Sequence, residues 1–163
     1  MGKPIISLDI DDVLSQTAQA IVNYGNHKWG HAHTIEDFTE HMAMMWQVDD
    51  GEAERRWLEF MDSGHFQTFD VIPDARRVLE GLSPKYALVA VTSRRAVLAP
   101  TSRTWLSSHY PGLIDEVYTA GLYGRGYQDA HLLTKTDVLK RVKADFLIDD
   151  QPKHCISAAA AGI

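Results

Sequence analysis

The chain has 163 residues, 45% of them hydrophobic, and a formal charge of −6 at pH 7. That length suits one domain with room for an inserted lobe, and no apolar run approaches the roughly 18 residues of a membrane span. The acidic balance, with no basic stripe, argues against a nucleic-acid polymer as partner and leaves room for a small anion met by local charge. Cys155 is the single cysteine, so no intramolecular disulfide can form and a reducing, cytoplasmic setting is expected. MGKPIISLD runs straight into a strand pattern, so no secretory leader is expected either.

The first strand spans Pro4 to Asp9 and ends in the acidic run Asp9-Ile10-Asp11-Asp12. Behind it Leu14, Ala18, Ile21, Val22 and Gly25 recur at helical spacing. His27, His31 and His33 crowd the next stretch, and His27 with His31 has the i, i+4 spacing of a metal pair without a further ligand to complete it. From Trp29 to Thr68 strand patterns disappear. Helices are expected over Ile35–Trp46, with Thr34 as N-cap, and over Glu52–Met61. Met45 and Trp46 sit in an apolar knot with Met42 and Met44, which reads as lobe core or as adaptable contacts to a substrate base or sugar. Pro73 opens a helix carrying Ala75, Val78, Leu79 and Leu82.

Tyr86 to Val91 is continuously apolar, the mark of a strand buried on both faces, and it ends in Thr92-Ser93-Arg94-Arg95. A helix follows near Pro100–His109, then a short strand at Glu116–Thr119. The glycine-rich stretch Gly121–Tyr127 reads as a connection. Thr134–Val142 is a helix whose Thr134 and Asp137 have capping-box spacing. Phe146–Ile148 is expected as a last buried strand, ending in Asp149-Asp150, and Pro152–Ala161 as a final helix. Strands alternating with helices imply a parallel sheet with helices on both faces. The expected division is a core of residues 1–14 and 75–163 with a helical cap of residues 15–74 inserted after the first strand.

Three strands thus end in polar groups: Asp9-x-Asp11, Thr92-Ser93-Arg94 and Asp149-Asp150. In open α/β sheets ligands bind beyond the carboxyl ends of the strands, so these groups should converge. Alternation in extended backbone puts Asp9 and Asp11 on one side. Carboxylates gathered this closely repel unless a cation neutralises them, and Mg²⁺ is the hard cation that takes one or two carboxylates plus phosphate oxygens. Lys135, in the first turn of a helix, opposes the macrodipole by about 0.3–1 kcal/mol. That is explained if it faces the carboxylates. Arg94 could clamp a phosphate or a substrate carboxylate.

In order, Asp9-x-Asp11-x-Val13, Thr92-Ser93, Lys135 and Asp149-Asp150 resemble the four motifs of the haloacid dehalogenase (HAD) superfamily of phosphohydrolases. LDIDDVL, VTSR and FLIDDQPKH are most similar to its 5'-nucleotidase and 5'(3')-deoxyribonucleotidase branch. The resemblance implies a HAD-like Rossmannoid three-layer α/β fold with a small helical cap, and a Mg²⁺-dependent phosphomonoesterase. By the same resemblance Asp9 is the nucleophile and Asp11 the general acid and then base. Thr92 and Lys135 serve the phosphoryl group. Ser93, Arg94, Met45 and Trp46 are candidate substrate contacts on their own residue types and positions, not by the resemblance. Asp9, Asp149, Asp150 and the Asp11 backbone carbonyl are the implied metal ligands. The substrate expected is a small phosphorylated metabolite, with nucleoside monophosphates first. A phosphomutase of the same fold, or a non-catalytic module binding Mg²⁺ or nucleotide, is the alternative. Two positions depart from the branch. It would place a lysine in the helix where Arg103 stands and a proline where Arg94 stands. The family would also continue with a strand where this chain stops, at Ile163.

Overall fold

A computed structural model describes residues 2–114, 116–120 and 133–163. The stretch Gly121–Tyr127 lies outside the described residues. Four short strands, β1 (Ile5–Leu8), β2 (Ala87–Thr92), β3 (Glu116–Thr119) and β4 (Phe146–Ile148), form a parallel sheet in the order β3-β2-β1-β4. Leu8 pairs with Ala90 of β2 and Ile148 of β4, so the carboxyl ends of these three strands lie side by side. The helices are α1 (Thr17–Trp29), α2 (Met42–Trp46), α3 (Asp50–Asp62), α4 (Ala75–Leu82), α5 (Ala99–His109), α6 (Lys135–Val142) and α7 (Pro152–Ala160). None is long and apolar enough to cross a membrane.

Side-chain alternation along β2 divides the core. Val89 and Val91 pack with Ala120, with Val138 and Leu139 of α6, and with Ala158 of α7, while Ile5 and Leu147 close the same cluster. Ile6, Leu8, Leu88 and Ala90 point to the opposite face and are equally buried. α5 lies against β3 and buries Ser102, Trp105 and Leu106, an i, i+3, i+4 stripe. β4 departs from expectation. Among the described residues it pairs only with β1, and Phe146 and Ile148 are 50% and 42% exposed. A three-residue edge strand cannot be covered on both faces by the neighbours it has among the described residues.

The chain divides into two compact units, one formed by the residues up to Ser15 together with Val71–Ile163, the other by Gln16–Asp70. The sheet, α4, α5, α6 and α7 belong to the first. The interior of the second is aromatic: Tyr24 meets Phe60 and Trp29 edge-on at 5.1 and 5.3 Å, and Trp46 meets Trp29 at 4.9 Å. α3 starts earlier than its apolar spacing suggested, because Asp49 caps it by accepting a bond from the Glu52 N–H at 2.9 Å. The single helix expected over Ile35–Trp46 breaks into a 3₁₀ turn at Ile35–Asp37 and the short α2. The Asp37 carboxylate turns back to accept from the Thr34 N–H at 2.8 Å, and Phe38 is extended, so the turn closes on itself instead of propagating. Ile35 is exposed, which leaves no apolar stripe to hold a longer helix there.

Candidate active site

Asp9 follows β1, Thr92 ends β2 and Asp149 follows β4, and the Asp9 N–H donates to the Ile148 carbonyl at 2.9 Å. The sheet order places β1 between the other two, so the nucleophile candidate is flanked by both remaining strand ends. One carboxylate oxygen each of Asp9, Asp149 and Asp150 lies within 4.8 Å of the others. Such a set of hard oxygen donors can hold a metal ion. Among the described residues Asp9 Oδ1 is buried and accepts no hydrogen bond of regular geometry, its close partner being the ion-paired Lys135.

Lys135 enters this cluster from α6. Its side chain is 1% exposed, and its Nζ lies 3.0 Å from Asp9 Oδ1 and donates to Asp149 Oδ2 at 2.6 Å. The contact to Asp9 is an ion pair outside hydrogen-bond geometry. The helix start that aims Lys135 is fixed by the expected capping box. Thr134 Oγ1 accepts from the Asp137 N–H at 3.1 Å, and the Asp137 carboxylate accepts from the Thr134 N–H at 3.0 Å. Arg103, on α5, donates to the Val117 carbonyl and takes no part in the cluster. The second oxygen of Asp149 accepts from the Gln151 N–H at 2.9 Å, a local turn that the sequence reading did not include.

Burial pushes the Asp9 carboxyl up to about 7. Lys135 pulls it down, and the charges of Asp11 and Asp149 push it further up. Burial likewise raises Asp150, with Gln151 opposing and Asp149 adding to the rise. Without a cation, the site thus resists carrying all its negative charge.

Thr92 is fully buried, and its Oγ1 accepts from the Arg94 N–H at 3.2 Å. Ser93 Oγ is buried with no hydrogen-bond partner. Arg94 and Asp11 form a bidentate pair, with Arg94 Nε 3.0 and 3.1 Å from the two Asp11 oxygens and Nη2 2.6 Å from Oδ1. Arg94 also reaches Ser102 Oγ on α5 and Ser15 Oγ beyond β1. Neither serine was marked by the sequence reading. Ser102 carried one signal, a hydroxyl on the stripe of α5 that also holds Trp105 and Leu106.

Met45 and Trp46 are 4% and 2% exposed, inside the Gln16–Asp70 unit. Trp46 Nε1 has no hydrogen-bond partner there. His31 stacks on His33 and its Nε2 meets Arg56 Nη1 at 2.9 Å. Among the described residues the histidines form no group of three metal ligands.

The family model described as "5' nucleotidase, deoxy (Pyrimidine), cytosolic type C protein" matches residues 3–163. No curated protein matches the chain. Among solved structures, a haloacid dehalogenase-like hydrolase from Streptococcus pneumoniae is similar at 17% identity and a TM-score of 0.68, covering 99% of this chain and 82% of the other. A HAD-superfamily hydrolase of subfamily IA from Geobacter sulfurreducens is similar at 15% identity and a TM-score of 0.62, covering 99% and 84%. A second hydrolase from Streptococcus pneumoniae gives 12% identity and a TM-score of 0.64, covering 99% and 90%. These structures carry the HAD-like fold, and the match over nearly the whole chain carries the family. The chain belongs to the cytosolic type C 5'-nucleotidase family, a group of HAD phosphatases.

Proposed function

We propose that this phosphatase is a Mg²⁺-dependent phosphomonoester hydrolase acting on nucleoside monophosphates through a phosphorylated Asp9. The observation that carries this reading is the buried Lys135 bound to Asp9 and Asp149 inside the acidic cluster. One lysine offsets only part of the charge of Asp9, Asp149 and Asp150, and the surplus negative charge suits a divalent cation. Asp9, Asp149 and Asp150 would hold Mg²⁺, with the Asp11 carbonyl assigned as a further ligand. When bound, the ion neutralises the carboxylates and the phosphoryl oxygens.

In the first step an Asp9 oxygen attacks phosphorus, the bond from phosphorus to the ester oxygen breaks, and Asp11 gives a proton to the departing oxygen. In the second, water attacks the same phosphorus while Asp11 takes its proton, the bond from phosphorus to Asp9 breaks, and inorganic phosphate leaves. Lys135 keeps Asp9 oriented and offsets charge on the transferring group. Ser93 Oγ, without a hydrogen-bond partner among the described residues, would donate to a phosphoryl oxygen. Thr92 Oγ1, already accepting from the Arg94 N–H, retains its own proton for the same purpose. The insertion, which carries none of these groups, is assigned substrate selection, with Met45 and Trp46 building its interior. The cytoplasm is the proposed setting, in keeping with the family's description as cytosolic.

The test is a hydrolysis screen over phosphomonoesters with full-length protein, with and without Mg²⁺. Nucleoside 5'-monophosphates should be turned over with Mg²⁺ and not in EDTA, and Asp9→Asn should abolish turnover. Folded protein without activity on any phosphomonoester would make it a binding module instead.

A further inference from the structure

We infer that Arg94 is a positioning residue for Asp11, holding the acid/base carboxylate in one orientation, and is not a ligand of the substrate. The inference rests on the hydrolase reading above, which gives Asp11 its task, and goes beyond it in giving Arg94 another.

The geometry is that of a strut. The Arg94 side chain is 3% exposed, against 28% for Asp11, so the guanidinium is the buried partner and the carboxylate the one with access to solvent. Two of its nitrogens grip the carboxylate, Nε at 3.0 and 3.1 Å and Nη2 at 2.6 Å. The remaining nitrogen, Nη1, is tied to Ser102 Oγ at 3.1 Å, and Nη2 lies 3.4 Å from Ser15 Oγ. The Arg94 N–H is anchored on Thr92 Oγ1. The end of β2, the start of α5 and the segment after β1 therefore converge on one planar group.

Asp11 needs such a hold. It lies beyond β1, next to Asp12 at φ 55°, outside the named strands and helices and joined to Ser15 by an isolated bridge. A general acid must stand within hydrogen-bond reach of the departing oxygen, and a free carboxylate rotor spends most of its time elsewhere. The guanidinium fork fixes both carboxylate oxygens in a plane, which a lysine's single ammonium cannot do. To clamp a substrate phosphate instead, Arg94 would have to release Asp11 and break its serine contacts while remaining buried.

The test compares two esters in full-length protein with Mg²⁺: a nucleoside 5'-monophosphate, whose alkoxide must be protonated to leave, and p-nitrophenyl phosphate, whose phenolate leaves unaided. The readout is the ratio of their kcat/KM values, which reports formation of phosphorylated Asp9 alone. In Arg94→Gln and Arg94→Lys the ratio should fall about 100-fold, the lower end for a lost general acid. Asp11→Asn should show the same skew, and adding Arg94→Gln to it should cost nothing more. Ser102→Ala, which removes one tether and leaves the pair, should skew the ratio in the same direction by less. It decides the matter if the Arg94 variants fail to fold.

A substrate ligand would lower kcat/KM equally for both esters, and a merely structural arginine would lower Tm without moving the ratio. Either result overturns the inference, as do losses that multiply in the double variant. Inactive wild-type protein overturns the hydrolase reading and this inference with it. Active wild type with an unmoved ratio overturns the inference alone.

Discussion

Asp9→Asn should stabilise the metal-free protein even as it destroys activity. Asp9 is 5% exposed, and burial raises its carboxyl from 3.8 to about 7. A carboxyl raised on folding binds its proton more tightly in the native state. Its contribution is therefore favourable below the unfolded value near 4 and is lost as pH rises toward 7. Three pH units correspond to a ceiling of about 4 kcal/mol at neutral pH. That ceiling is already net of the attraction to Lys135, so the further cost is that of seating an amide in the carboxylate's place, about 1–2 kcal/mol. The net gain is then about 2 kcal/mol, or roughly 4–8 °C in Tm for a chain of this size.

The assay is thermal unfolding of wild type and variant in EDTA at pH 7.5 and 4.5. At pH 4.5 the gain should shrink to under about 1 kcal/mol, because native wild-type Asp9 is then protonated. Saturating Mg²⁺ should reverse the order, since only the wild type has its full ligand set to bind the ion. A variant less stable than wild type in EDTA at pH 7.5, or a gain equal at both pH values, would refute the reasoning.

Two further outcomes follow from groups away from the chemistry. Ser7 is fully buried on β1 and its hydroxyl has no hydrogen-bond partner among the described residues, so Ser7→Ala should raise stability by about 1 kcal/mol in urea unfolding. A loss of similar size would mean that the hydroxyl is satisfied after all. Thr134→Ala should remove the cap of α6 and cost about 1 kcal/mol by the same measurement. Thr134→Ser should restore most of it, and an unchanged midpoint in the alanine variant would count against the cap.

Much of the candidate site could be read from residue types, because the information is local. Acidic and hydroxyl residues directly behind apolar runs announce themselves wherever the strands go, and Thr134-x-x-Asp137 specifies its own helix start within one turn. Alternation of strands and helices likewise implied a parallel sheet before any strand order was known. The partners of Lys135 and Arg94 were another matter. The sequence suggested that a lysine at a helix N-terminus needed an anion, but Asp9 lies 126 positions away in the chain, and only the placement of β1 between β2 and β4 brings the two together. Arg94 looked suited to a free anion, and the tertiary structure gave it Asp11, 83 positions earlier, with Ser102 behind it.

Local spacing also misjudged two elements whose fate depends on what covers them. The Ile35–Trp46 stretch breaks where Ile35 is left exposed, and β4 is exposed where, among the described residues, it pairs with one strand. Composition and periodicity record what each segment is able to bury and which charges it carries. Which distant group meets that charge, and which face is left uncovered, depends on the order in which the strands pair.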